Sequence, residues 1–236
     1  MNVVLPENVP SIGSAPVFTL LHGLDGNYLT WCANTRIQEL AEKYGVCVIM
    51  PEAKNSFYCK TAQGEDYYTH IADEVFEVSR SFFGLGDKPE LNHIAGISMG
   101  GFGAMKIGLL NPTRFATIGS LSSVMDVEGQ LIESHGLNAH EREVLKNAFG
   151  ENARIRGGEN DIFYLSERVA GKCMPAIYQF CGTEDFLYAD NRRYLSFAKS
   201  LSLDITYEEA PGGHFWPVWA EQIWHYIPWA IRRAEG

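Results

Sequence analysis

The chain lacks any apolar run approaching the ~18 residues that a membrane-spanning helix needs, so no membrane association is expected. It also lacks positive charge in excess: 19 Lys and Arg stand against 29 Asp and Glu, a net charge of −10. With no basic patch to displace counterions from a phosphate backbone, a nucleic-acid partner is not expected. The five cysteines, Cys32, Cys47, Cys59, Cys173 and Cys181, are odd in number and form no C-x-x-C pair, which argues against a disulfide framework or a zinc site. The start, Met1-Asn2-Val3-Val4-Leu5-Pro6, has neither the basic nor the long apolar region of a signal peptide. Reduced thiols and a cytoplasmic location are the expectation; a secreted form whose leader had been removed would read the same way. No G-x-x-x-x-G-K-[ST] and no H-E-x-x-H occurs, and a dinucleotide fingerprint starting at Gly101 would need Gly or Ala where Lys106 stands. Neither cofactor nor metal is called for. A homo-oligomer stays open.

What is present suits one soluble domain over residues 1–236, with 46% hydrophobic and 20% charged residues. Strand-like apolar runs alternate with helical patterns, which predicts an α/β fold with a largely parallel sheet flanked by helices. The strands are read at Pro16–Leu21, Val46–Met50, Leu91–Ile97, Phe115–Leu121, Ala176–Cys181 and Ile205–Glu209. Helices are read at Asn34–Tyr44, closed by Gly45, at Gly101–Leu110, near Asn191–Ser202 and at Trp216–Arg233. Tyr68, Ile71, Val75, Val78 and Phe82 fall at steps of three and four, the apolar stripe of an amphipathic helix. Asp126–Lys172 breaks the rhythm: it is polar, charged and Gly-rich, with short helical patches such as Glu141–Phe149. That insertion is expected either to cap a pocket or to make a solvated excursion.

Gly96-Ile97-Ser98-Met99-Gly100 is the most informative stretch, a G-x-S-x-G between an apolar strand and a small-residue helix. In that context the serine sits at the tip of a sharp strand-to-helix turn with its hydroxyl exposed. A hydroxyl becomes a good nucleophile only when an imidazole takes its proton, and the imidazole needs a carboxylate to fix its tautomer. The acid should follow a later strand and the histidine the last one. Gly182-Thr183-Glu184-Asp185 follows Ala176–Cys181, and Asp185 is the acid of choice, with Glu184 and Asp190 as competing carboxylates. Among seven histidines, His214 in Pro211-Gly212-Gly213-His214 lies after the last strand and before the last helix, on the same sheet rim as Ser98 and Asp185. His70, His93 and His225 fall within regular elements, and His135 and His140 in the insertion, where packing or solvent exposure is expected.

An oxyanion needs two N–H groups aimed at one point. Met99, next after the serine, supplies one, and the loop Leu21-His22-Gly23-Leu24-Asp25-Gly26 supplies the other. Leu24 is the assigned donor and Gly23 the alternative; Gly23 also counts among the substrate-binding residues, and His22 is expected to hold the loop by hydrogen bonding. Trp31, Phe57, Tyr58 and Trp216 are candidates for the pocket wall or for the core.

On the motifs Leu20-Leu21-His22-Gly23-Leu24-Asp25-Gly26-Asn27, Gly96-Ile97-Ser98-Met99-Gly100-Gly101-Phe102-Gly103-Ala104, Cys181-Gly182-Thr183-Glu184-Asp185-Phe186-Leu187-Tyr188 and Pro211-Gly212-Gly213-His214-Phe215-Trp216, the chain resembles the esterase D-like α/β-hydrolases. Within them it is most similar to the bacterial tributyrin esterases related to carbohydrate esterase family 1. The resemblance runs along nearly the whole sequence. It implies an α/β-hydrolase fold and hydrolysis of small-molecule esters with acetyl to butyryl groups, with Ser98, Asp185 and His214 as the triad. It also implies that Asn55-Ser56-Phe57-Tyr58 lies beside the active site. Relatives usually carry a further strand before the segment matching Val3 to Leu5, so either the sheet lacks its first edge strand or the start is internal. Rival readings are an S-formylglutathione hydrolase-type thioesterase, which wants Lys or Arg at the pocket mouth, and a feruloyl or acetyl-xylan esterase. A third is a catalytically silent binding module, against which an intact Ser98, Asp185 and His214 count.

Overall fold

The computed structural model describes residues 1–132, 138–151 and 153–235. Seven strands form one sheet: β1 (Asn2–Val4), β2 (Val17–Leu21), β3 (Cys47–Met50), β4 (Asn92–Ile97), β5 (Thr117–Leu121), β6 (Ala176–Gly182) and β7 (Ile205–Ala210). Their order is β1-β3-β2-β4-β5-β6-β7. Among the described strands of this sheet, β1 and β3 pair antiparallel and the other neighbours run parallel. This is the mostly parallel sheet of an α/β-hydrolase. Its central strands β2 to β5 are buried throughout, as expected where both faces carry helices.

Alternate strand residues feed two cores. Val17 and Leu21 face one, together with Ile49, Ile94 and Ile118. Phe18 and Leu20 face the other, together with Val48, Ala95 and Phe180. The helices in chain order are α1 (Thr30–Asn34), α2 (Ile37–Tyr44), α3 (Tyr67–Thr69), α4 (Phe76–Phe83), α5 (Met99–Leu110), α6 (Val127–Ile132), α7 (Ala139–Phe149), α8 (Ile162–Val169), α9 (Tyr188–Ser200) and α10 (Trp216–Glu235). α1, α2 and α10 cover the second core, and α5, α8 and α9 the first. No helix among the described residues is long and apolar enough to cross a membrane.

Three local expectations change. The helix read at Asn34–Tyr44 begins only at Ile37, as α2; Asn34 instead ends the separate helix α1, and Thr35 and Arg36 lie between them. The stripe from Tyr68 to Phe82 is interrupted by a π-helical segment, His70–Val75. That wider turn keeps Ile71 and Val75 inside but rotates α4 relative to them, so Ser79 is buried while Val78 and Phe82 stand 51% and 78% exposed. The insertion Asp126–Lys172 divides in two. Its end, α8, buries Ile162, Leu165 and Val169 in the first core against α5, so it is the crossover helix between β5 and β6. Among the described residues, the part of the insertion that lines the cleft is α7, through Glu141 and Leu145.

An ion-pair network that pairwise sequence patterns do not reveal roots this segment. Asp126, its side chain 4% exposed, accepts bonds from Arg156 Nη2 at 2.6 Å and Arg193 Nη2 at 2.5 Å. Asp190 accepts the Met125 and Asp126 N–H groups, and Glu128 those of Ile155 and Arg156. Burial pushes the Asp126 carboxyl up, but the Gly129 N–H and the two guanidinium groups hold it below the ordinary carboxylate value.

Candidate active site

β4 runs directly into α5, and Ser98 is the joint. Its backbone is at φ 54°, ψ −118°, a strained conformation for a residue with a side chain. The Ser98 N–H donates to Leu121 O at 2.9 Å, which pins the turn to the end of β5. Two glycines permit the close approach. A Cβ on Gly96 would stand 2.2 Å from Gly100 O, and one on Gly100 2.4 Å from Leu21 O. Any side chain there would force strand and helix apart.

The structure brings together the three polar residues that the sequence singles out. His214 Nε2 lies 2.9 Å from Ser98 Oγ, and His214 Nδ1 lies 2.8 Å from Asp185 Oδ2. The carboxylate can only accept, so Nδ1–H donates to it and Nε2 is left as the acceptor facing the serine hydroxyl. Asp185 Oδ1 accepts the Leu187 N–H at 2.9 Å, and the side chain is fully covered. Burial pushes its carboxyl up, but the hydrogen bond and charge of His214 and the Leu187 N–H hold it below the ordinary range. Glu184 is exposed and Asp190 is engaged at the root of the insertion, so neither faces the imidazole. Phe186 and Trp219 pack on the His214 ring, at centroid distances of 4.6 and 4.8 Å. Trp219 Nε1–H donates to Ser122 Oγ at 3.0 Å.

The loop after β2 is built by hydrogen bonds around His22. Its Nδ1–H donates to Gly23 O at 2.8 Å, and Nε2 accepts the Ala53 N–H at 3.1 Å. Burial lowers its pKa, which keeps the ring neutral and this tautomer in place. The Gly26 N–H closes a turn onto Gly23 O at 3.1 Å, and Asp25 pairs with Asn55 in both directions. His140, from α7, bonds the Asp25 carboxylate at 2.9 and 3.1 Å and so ties the insertion to this loop. Leu24 N–H has no acceptor among the described residues. Met99 N–H lies ahead of the α5 ladder, which starts with Phe102 N–H to Ser98 O at 3.1 Å.

Two pocket-wall candidates are corrected. Trp31 is fully buried, donates from Nε1 to Leu21 O at 3.2 Å and packs edge-on behind Trp216 at 5.3 Å. Tyr58 is also fully buried, donates its hydroxyl to His22 O at 2.8 Å and fills the space beside Gly103. Both brace the His22 loop from behind. Gly23, Leu24, Met99, Phe57 and Trp216 do line the cleft.

Two cavities meet at Ser98. The smaller, about 60 Å³, is apolar and bounded by Leu24, Phe57, Met99, Val124, Leu145, Phe186 and Leu187, with Glu141 at its edge. The wider, about 300 Å³, is bounded by Gly23 to Gly26, Thr30, Glu141, Phe186, His214, Trp216 and Trp219. Phe186 and Leu187 stand directly after Asp185, so the loop that carries the acid was a signal for them. Val124, Glu141, Leu145 and Trp219 come from segments whose approach to the serine only the folded chain reveals.

The other histidines lie elsewhere. His93 is buried on Phe18 with its pKa lowered to about 3 by burial, and His70 and His225 pair with Glu74 and Glu208. His135 lies outside the described residues.

With this geometry in hand, a family model described as putative esterase matches residues 1–229. The acetyl esterase of Caldicellulosiruptor saccharolyticus is 35% identical over 215 residues, 89% of this chain and 81% of that protein. Among solved structures, substrate-bound fluorophosphonate-binding serine hydrolase F of Staphylococcus aureus superposes with a TM-score of 0.86 at 31% identity, covering 97% of this chain and 91% of that one. The S-formylglutathione hydrolase of Staphylococcus aureus, as apoenzyme, gives a TM-score of 0.85 at 30% identity with the same coverage, 97% and 91%.

Proposed function

This chain belongs to the putative esterase family and is a carboxylic ester hydrolase, and from that premise we propose that it cleaves short-chain acyl esters, acetyl to butyryl, through Ser98, His214 and Asp185. The observation that carries the acyl preference is the apolar cavity of about 60 Å³ beside Ser98. Its volume accommodates about two water-sized groups, which suits an acyl chain of a few carbons. The Caldicellulosiruptor relative is an acetyl esterase, which supports the same choice.

The chemistry is that of the hydrogen-bonded chain. An ester carbonyl placed over Ser98 has its acyl group in the small cavity and its alcohol in the wide one. As Ser98 Oγ attacks, its proton passes to His214 Nε2 across 2.9 Å, and the imidazolium is stabilised by Asp185 at 2.8 Å. The carbonyl oxygen, now an anion, receives the Met99 and Leu24 N–H groups. Collapse of the tetrahedral species breaks the bond to the alcohol, which leaves with the proton from His214. A water that gives its proton to the same imidazole then attacks the acyl-serine, and the acid departs.

The S-formylglutathione hydrolase among the structural neighbours gives a second reading, thioester cleavage by the same serine. Glutathione is anionic, and the wide cavity presents Asp25 and Glu141 rather than Lys or Arg, so oxygen esters come first.

The test is Ser98→Ala. It is expected to fold normally, to lose labelling by a fluorophosphonate probe and to lower kcat by about 10⁶, the scale of losing a nucleophile from such a triad. Turnover of acetate esters within tenfold of the wild type would refute the assignment.

A further inference from the structure

The family reading leaves open which half-substrates the wide cavity accepts. Its lining has a pronounced chemical bias: two carboxylates, Asp25 and Glu141, three aromatic rings, Phe186, Trp216 and Trp219, and no Lys or Arg among the described residues. The two acids are not equivalent. Asp25 is occupied, paired with Asn55 Nδ2–H at 2.8 Å and with His140 Nε2 at 2.9 Å. Glu141 stands on the first turn of α7, where its side chain accepts the Asn138 N–H at 2.8 Å while Asn138 Oδ1 accepts the Glu141 N–H at 3.0 Å. This reciprocal capping box holds the carboxylate in one place. Glu141 is also, with Leu24, Ser98 and Phe186, shared by the small and the wide cavities, so it stands at their junction beside the serine.

We infer that Glu141 sets the charge selectivity of the departing half, favouring esters of cationic alcohols over neutral ones and turning away anionic ones. The inference rests on the reading of Ser98 as the nucleophile, which places the departing group in the wide cavity. A fixed carboxylate in a partly enclosed cleft attracts a cation and repels an anion more strongly than either would be felt in water. Aromatic faces add to the attraction for a cation and offer nothing to an anion. Anionic thioesters such as those of glutathione fall in the disfavoured class.

The experiment uses three aryl acetates whose leaving phenols have similar acidity but different charge: 4-(trimethylammonio)phenyl acetate, 4-cyanophenyl acetate and 4-acetoxybenzenesulfonate. kcat/KM is measured for each with the full chain and with Glu141→Gln. Glutamine serves in a capping box as glutamate does, so the substitution removes the charge and keeps the start of α7. The wild type is expected to prefer the cation to the anion, and Glu141→Gln to narrow that ratio by about tenfold, each substrate being compared with itself. Raising the salt to about 0.5 M should narrow the wild-type ratio in the same direction. Equal turnover of cation and anion by the wild type, or a ratio unmoved by Glu141→Gln, would overturn the inference. Failure of the underlying reading looks different: all three acetates would still be cleaved by Ser98→Ala.

Discussion

Asp185→Asn is the substitution for which the structure gives the sharpest consequence. The amide is nearly isosteric with the carboxylate, so the loop packing survives. Asp185 Oδ1 accepts the Leu187 N–H at 2.9 Å, and that contact fixes the amide's orientation: the oxygen must stay on Leu187 and the NH₂ must face the imidazole. His214 Nδ1, which lies 2.8 Å from Oδ2, then meets a donor where it met an acceptor. To avoid two opposed N–H groups the ring takes the other tautomer, with the proton on Nε2. Nε2 stands 2.9 Å from Ser98 Oγ, so the serine now faces an N–H and has no base. The cost is the loss of general-base catalysis together with the loss of a charge partner for the imidazolium. Its scale is about 10⁴ in kcat, as for the same change in another Ser-His-Asp triad, or about 5 kcal/mol of barrier at 1.36 kcal/mol per tenfold. The assay is release of nitrophenol from the acetate ester, with circular dichroism to show that the variant is folded. Glu184→Gln is the companion, because that exposed acid neighbours Asp185 in sequence and makes no contact with the ring; its kcat should change by less than about twofold. Retention of a tenth of wild-type activity by Asp185→Asn, or a larger loss in Glu184→Gln, would refute the reasoning.

Activity on nitrophenyl esters should peak between acetate and butyrate and fall at least about tenfold by octanoate, because overfilling a closed pocket costs ~1–3 kcal/mol. Leu145→Ala, which opens the floor of the small cavity from α7, should move that peak to longer chains, and an unchanged chain-length profile in that variant would count against the cavity as the acyl site. The carboxyls of Asp126 and Asp185 are both depressed in the folded chain, so each contributes stability that is present above its unfolded pKa and is lost as pH falls through the folded value. Urea midpoints should therefore drop on acidification below the ordinary carboxylate range, and Asp126→Asn should flatten that drop while costing about 1.5–3 kcal/mol at neutral pH, the scale of a charge-assisted hydrogen bond. A pH profile identical to the wild type would show that the network does not carry the effect.

How much of this could be read from the chain depends on how local the physics is. Most of the sheet was legible because strands buried on both faces read as compact, weakly charged runs, and β2 to β6 fall within a residue or two of the predicted ends; β7, partly exposed, was found from its place after a helix rather than from burial. The turn at Ser98 was legible for the same reason: Gly96 and Gly100 mark contacts that no side chain survives, and both partners in the closest of those contacts lie nearby in sequence or on the adjoining β2 end. His214 and Asp185 could be placed by chain order because parallel strands put all their following loops on one rim. The large aromatics were a different matter. Trp31, Phe57, Tyr58 and Trp216 look alike in sequence, yet two line the cleft and two brace the loop behind it. What separates them is a hydrogen bond of Trp31 to Leu21 O and of Tyr58 to His22 O, contacts 10 and 36 residues apart in the chain.

The stripe from Tyr68 to Phe82 shows the same limit inside one helix, since the period assumed for it holds only until the π segment at His70–Val75 changes the phase. The insertion shows it at the scale of the cleft. Its polarity correctly marks a segment outside the sheet, but polarity cannot tell that α8 returns to the core while α7 leans over the serine. α8 is placed by its apolar face on α5, and Asp126 holds the root of the segment by gathering Arg156 from 30 residues away and Arg193 from 67. The acids of this segment therefore have two distinct jobs: Asp126 and Asp190 neutralise arginines and hold the root, while Glu141, fixed by its capping box, is carried to the mouth of the cleft. A composition-level charge of −10 spreads over both and distinguishes neither. Which carboxylates face the wide cavity, Asp25 and Glu141 rather than Asp126 and Asp190, is a property of packing several helices against one loop, not of the residues taken one by one.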